Sequence, residues 1–151
     1  PEGYAIRVAL DKARVAAKKA GKGIVLAADT IVVIDGSVLG KPAGPDDAVR
    51  MLGCLSGREH DVITGVAVID AASGTERTRV ETTQVKFRSL TEREIRSYVA
   101  TSEPLDKAGA YGIQGKGALL VERIDGCYFN VVGLPLSAVE NMLIEYGLSV
   151  W

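Results

Sequence analysis

Apolar positions along residues 4–20, YAIRVALDKARVAAKKA, recur as Ile6, Leu10, Ala13 and Ala17, a spacing that predicts an amphipathic helix with its lysines and arginines turned outward. Gly21 and Gly23 suit its end. The period then changes. Residues 24–34 form an apolar run rich in Val and Ile, read as a buried strand, and Asp35-Gly36 carries the signal of a tight hairpin turn. SVLGKP reads as the return strand, ended by Pro42. PDDAVRMLGCLSG predicts a short helix with acids in its first turn and glycine after its end.

HDVITGVAVID and ERTRVETTQVKF alternate as two strands joined by the turn AASG. TERE, residues 91–94, has the form of a capping box and opens a helix running to about Ala100. GALLVERIDGCYFNVVG reads as two further strands around Asp125-Gly126, and PLSAVENMLIEYG as a last amphipathic helix closed by Gly147. No repeat or linker interrupts the series. The pattern predicts one α/β domain over residues 1–151, a mixed twisted sheet with flanking helices, with an α+β arrangement as the close alternative.

Composition narrows the function. The 151 residues are 47% hydrophobic and 25% charged, ordinary for one globular domain. Eighteen basic against 19 acidic side chains give a net charge of −1, so no overall field recruits nucleic acid or an anionic membrane, and an anionic ligand must be met by a few placed cations. Cys54 and Cys127 have no metal-ligand spacing and make no disulfide framework, which favours a reducing, cytoplasmic setting. His60 is the only histidine, too few for a histidine-based metal site.

Three stretches break the pattern. In VLAADTIVVIDGSVLGKP, residues 25–42, Asp29 and Thr30 interrupt an apolar strand, and a carboxylate there is costly unless paired. If the hairpin brings Lys41 near that strand, Asp29 can bind a divalent cation or take a proton from water, and Lys41 can neutralise a phosphate oxygen; a structural ion pair at the sheet edge is the competing reading. DKAGAYGIQG, residues 106–115, is rich in small residues that let a ligand approach the backbone, and Gln114 carries both a donor and an acceptor suited to a nucleobase edge. The competing reading is a surface loop whose glycines only serve turns, and neither a Walker loop nor a dinucleotide fingerprint is present. In LSGREH, Ser56 and Gly57 read as a helix end and His60 as a structural hydrogen-bonder. Glu81 sits in an alternating strand where a solvent-facing polar side chain is expected.

The ordered strings ADTIVV, LGKP, LSGREHDVITGV, VETTQVKFRSLTEREIRSYV and DKAGAYGIQGKGALLVERIDGCYFNVVGLPL together resemble the Maf family, nucleoside triphosphate pyrophosphatases first associated with septum formation. The resemblance implies an elongated fold similar to the inosine triphosphate pyrophosphatases. It also implies cleavage between the α- and β-phosphates with a divalent cation, Mg or Mn. Through the ADT motif it implies Asp29 as general base and metal ligand and Thr30 as a substrate contact. Lys41 of GKP implies a phosphate contact, Gln114 of GIQG a role in substrate choice, and Asp106 and Lys107 belong to the same substrate-binding set. The DKAGAYGIQG string resembles the branch acting on dTTP and UTP. The alternatives are the sister 7-methyl-GTP branch and a non-catalytic nucleotide-binding regulator of cell division. Partners implied are a nucleoside triphosphate and a homodimer, with no nucleic acid or membrane. The family pattern also opens with a strand and an S-x-S-P-R-R phosphate-binding loop, which these 151 residues are expected to lack, since they start where the first long helix begins.

Overall fold

The structure, a computed structural model, describes residues 1–151. Helix α1 (Glu2–Ala20) leads into β1 (Ile24–Ile34), β2 (Ser37–Leu39), α2 (Pro45–Leu55), β3 (Glu59–Asp70), β4 (Glu76–Phe87) and α3 (Glu92–Val99). Three short 3₁₀ turns, Glu103–Asp106, Ala108–Ala110 and Gly115–Leu120, carry the chain to β5 (Val121–Asp125), α4 (Tyr128–Val132) and α5 (Leu136–Glu145). The strands form one five-stranded sheet in the order β2-β1-β3-β4-β5.

The helices flank the sheet as expected, but every pairing is antiparallel rather than mixed. Two tight reversals account for much of this. At Asp35 and Gly36 φ is 50° and 74°, the left-handed pair that turns β1 into β2. At residues 71–75 the Asp70 carboxylate accepts from the N–H groups of Ala72 and Ser73, closing β3 onto β4. Since α2 then returns the chain to run β3 against β1, no parallel crossover arises. The capping box of α3 is present: Thr91 Oγ1 accepts from Glu94 N at 3.2 Å, and Glu94 Oε2 accepts from Thr91 N at 2.8 Å.

Two expectations change. The face that α1 buries is Ala5, Ala9, Ala13 and Ala17; Ile6 and Leu10 are only partly buried. The cause is Gly65 in β3, where a Cβ would stand 2.4 Å from the carbonyl of Ala5, so the helix lies directly on strand backbone and only alanines fit between. In addition, residues 128–132 form a short helix and not a strand. Asn130, fully buried within it, donates to Val62 O at 3.0 Å and Thr83 Oγ1 at 2.9 Å, which pins the segment across β3 and β4 in place of a ladder.

The core thus has two sides. The alanines of α1 pack on Ile31, Val33, Ile63, Ala67 and Ile69. On the opposite side Val32, Ile34, Val62, Val85 and Phe87 meet α2, α3 and the 3₁₀ turns, while Val66 and Val68 meet α5. Because β2 pairs only with Val32, Val33 and Ile34, residues 24–31 of β1 have β3 on one side and no strand on the other.

Candidate active site

A cleft of about 240 Å³ opens on the α2 side of the sheet. Its floor is Thr30 and Val32 of β1 with Val62 of β3; its walls are residues 131–133 and the loop bearing Lys107, Tyr111 and Gln114. Thr30 Oγ1 lies 2.8 Å from Thr64 Oγ1 and 3.5 Å from the carbonyl of Gly133, so the hydroxyl is fixed from two sides. Gly109 makes the loop's close approach feasible. A Cβ there would come within 2.8 Å of Val32, its φ is +68°, and its N–H donates to Gly40 O at 3.1 Å. That last bond ties the glycine-rich loop to the Gly-Lys-Pro turn.

Thr30, Lys107 and Gln114 therefore come together at one cleft. Lys107 folds back: its amine donates to Glu103 O at 2.9 Å and to Asp106 Oδ1 at 2.8 Å, while its stem lies against Gly112. Asp106 is exposed at the lip, and its carboxyl is held below the ordinary value by the hydrogen bond and charge of Lys107, with a smaller contribution from Lys41. Lys41 is exposed and makes no ion pair. Continuing the β1–β2 register would set it opposite Thr30, but pairing stops at Leu39.

Asp29 points the other way. Strand alternation puts it with Gly65 and Ile31 on the α1 face, and its Oδ1 lies 2.5 Å from Lys12 Nζ of that helix. The ion pair that would hold this carboxylate exists, but its cation is Lys12 and not Lys41. Nothing in the local spacing points to Lys12, since helix and strand meet there only through the approach at Gly65.

Behind the cleft wall Tyr111 meets His60. His60 is buried, and its Nε2 lies 2.8 Å from Tyr111 Oη, with Phe87 edge-on to both rings. Burial lowers the His60 pKa to about 4 and raises that of the Tyr111 phenol, so the pair is neutral at pH 7. This agrees with a structural His60. Glu81 lies away from the cleft, beside α5.

The family model described as Maf-like protein matches residues 1–146. The chain belongs to the Maf family. Its relatives include a dTTP/UTP pyrophosphatase from Syntrophomonas wolfei subsp. wolfei, 54% identical over 150 residues that cover 99% of this chain and 79% of the relative. A dTTP/UTP pyrophosphatase from Moorella thermoacetica is 58% identical over 144 residues, 95% of this chain and 74% of its own. One from Carboxydothermus hydrogenoformans is 50% identical over 147 residues, covering 97% and 79%. In this Maf chain the cleft, the Asp29–Lys12 pair and the exposed Lys41 all lie around one strand, β1. No helix is long and apolar enough to cross a membrane.

Proposed function

We propose that this chain is a nucleoside triphosphate pyrophosphatase acting on dTTP and UTP, releasing the nucleoside monophosphate and pyrophosphate. The observation that carries the reading is the meeting of Thr30 and Gln114 in one cleft, in a chain 50–58% identical to relatives named dTTP/UTP pyrophosphatase. The base sits in the cleft, and the phosphates run past Lys41 towards Asp29 on β1.

Gln114 reads the base. Its amide can donate to a carbonyl and accept from the ring N–H, the pair that uracil and thymine both offer. Cytosine presents an amino group and a bare ring nitrogen at those places, so the contacts are mismatched, and a buried polar group left unpaired costs roughly 1–3 kcal/mol.

Cleavage needs a water oxygen to bond to phosphorus, the α–β bridging bond to break, and a proton to leave the water. Asp29 takes that proton or orients the water once Lys12 has released it, and Lys41 neutralises phosphate charge. Asp29 supplies one hard oxygen donor, and no three His, Cys, Asp or Glu side chains cluster. A single carboxylate supplemented by substrate phosphates suits Mg or Mn, which keep several waters and are seldom caged by protein alone. Such a cation, when bound, polarises the phosphate and acidifies water. Within the family pattern an S-x-S-P-R-R loop completes the phosphate grip, so activity is assigned to these residues together with that loop.

The test is release of pyrophosphate from dTTP, UTP, CTP and 7-methyl-GTP with and without divalent cation. Preference for dTTP and UTP is expected. Preference for 7-methyl-GTP would move the protein to the sister branch, and tight binding without turnover would make it a nucleotide-binding regulator.

A further inference from the structure

Gln114 has no hydrogen-bond partner for its side chain, yet the backbone on either side of it is anchored by the same two residues. Two positions before it, Gly112 N donates to Tyr98 Oη at 3.3 Å. Just after it, Lys116 N donates to Glu103 Oε2 at 3.2 Å and Gly117 N to Glu103 Oε1 at 3.0 Å. Tyr98 Oη in turn donates to Glu103 Oε1 at 2.9 Å, so one hydroxyl–carboxylate pair clamps both ends of a short loop. Thr101 Oγ1 accepts from Glu103 N at 3.2 Å and holds the clamp on the turn after α3.

The fit around this clamp is tight. A Cβ at Gly115 would stand 2.9 Å from Glu103 Oε2, and one at Gly117 would stand 1.9 Å from Gly112 O and 2.7 Å from Tyr98 Oη. Gly117 is thus required by the backbone of Gly112 as well as by Tyr98, and Gly115, already at φ +63°, lies against the Glu103 carboxylate. Burial opposes the charge on Glu103, but the N–H of Gly117, the Tyr98 hydroxyl and the N–H of Lys116 outweigh it and hold the carboxyl below its ordinary value. Neither side chain lines the cleft.

We infer that Tyr98 and Glu103 are positioning residues for base selection, acting through the backbone of residues 112–117 to fix where the Gln114 amide meets the base. The inference rests on the base-reading role proposed for Gln114. A neutral amide oxygen at the end of a mobile loop would still reach the base, but it would tolerate a shifted one, and discrimination would fall before affinity for phosphate did.

The experiment compares Tyr98→Phe, Glu103→Gln, Gln114→Ala and the Tyr98→Phe/Gln114→Ala double variant in binding of dTMP, dCMP and inorganic tripolyphosphate, with melting temperatures alongside. Tyr98→Phe removes one oxygen and leaves the ring in the core. Glu103→Gln keeps the shape but opposes an N–H₂ group to a backbone N–H. Each is expected to lower the dTMP-to-dCMP preference roughly tenfold, the value of one or two hydrogen bonds, with tripolyphosphate binding unchanged. The double variant should lose no more preference than Gln114→Ala alone. Full preference in the two clamp variants, beside its loss in Gln114→Ala, overturns the inference and spares the reading of Gln114. An equal weakening of all three ligands reduces the clamp to a structural role and overturns it as well. Unchanged preference in Gln114→Ala removes the base-reading role itself, and the inference goes with it. Should Glu103→Gln not fold, Tyr98→Phe decides.

Discussion

Across β1, two adjacent side chains are held by two unlike surroundings. Asp29 faces α1, a regular helix seated on regular strands through a stripe of alanines, and its partner Lys12 arrives with the helix. Thr30 faces a cleft walled by 3₁₀ turns, where a run of glycines is shaped by side chains reaching from α3, β3 and the turn after α3. The first surrounding is built from repeated packing, so a change there moves a whole element. The second is built from single hydrogen bonds, so a change there moves a few atoms. The proposed function places chemistry on the first side and recognition on the second.

The sharpest test of that division is Asp29→Asn. The amide keeps the size and part of the hydrogen bonding but removes the charge proposed to act on water or a cation. Turnover should fall by at least ~100-fold, the scale of one general base, while dTMP binding on the other face of the strand persists. Near-normal pyrophosphate release by the variant would take catalysis away from the α1 face.

Gly65→Ala probes the packing that brings Lys12 to Asp29. Its Cβ meets backbone atoms of Ala5 and Ile6 at 2.4–2.5 Å, and backbone cannot swing aside as a side chain can. Overpacking of this kind costs about 3 kcal/mol, enough to lower the melting temperature by roughly 6–12 °C in a domain of this size. A melting curve coincident with the parent would mean that α1 sits farther from β3.

This is also where the fold was least legible. Ile6 and Leu10 carry the stronger apolar signal, yet alanines fill the interface, because the need for small side chains is set by a glycine sixty residues away in the chain. By contrast the Asp35-Gly36 turn and the Thr91–Glu94 capping box are local, and local rules read them correctly. Tyr128, Phe129, Val131 and Val132 look like strand residues; Asn130 overrides them through bonds to Val62 and Thr83 that no spacing encodes. Within the site, the unusual residues Asp29, Thr30 and Gln114 stood out from their surroundings. Lys12, Tyr98 and Glu103 did not, since each is an ordinary helix or turn residue until the fold supplies its partner.

The loop side has a pH signature. His60 neutral in the fold, with a pKa lowered to about 4, and free to protonate near 6.5 when unfolded, favours the unfolded chain increasingly as pH falls between those values. Stability is whole above about pH 6.5 and declines by up to roughly 3 kcal/mol towards pH 4. The carboxyls of Asp47, Asp70 and Glu76 are held low, so their contributions are lost in a more acidic window. Urea midpoints of the parent and His60→Gln, followed from pH 7.5 to 4.5, should show this decline in the parent alone. Parallel curves would mean that His60 is protonated, or reached by water, in the folded state.

Lys41→Ala is expected to do least, and it asks on which side of the comparison the Gly-Lys-Pro turn belongs. The lysine is exposed and without an ion pair, so its removal costs the fold nothing, and the melting temperature should hold. Its charge is felt by Asp106 at the lip of the cleft, and the proposed path of the triphosphate runs past it. An exposed charge contact contributes up to about 1 kcal/mol, so KM for dTTP should rise by up to about fivefold, with a smaller fall in kcat. Because the contact is solvent-screened, the difference from the parent should shrink as salt is raised towards 1 M, where charges farther apart than about 3 Å no longer feel each other strongly. An effect on kcat alone, insensitive to salt, would place Lys41 against the reacting phosphorus and would make the turn part of the chemical side.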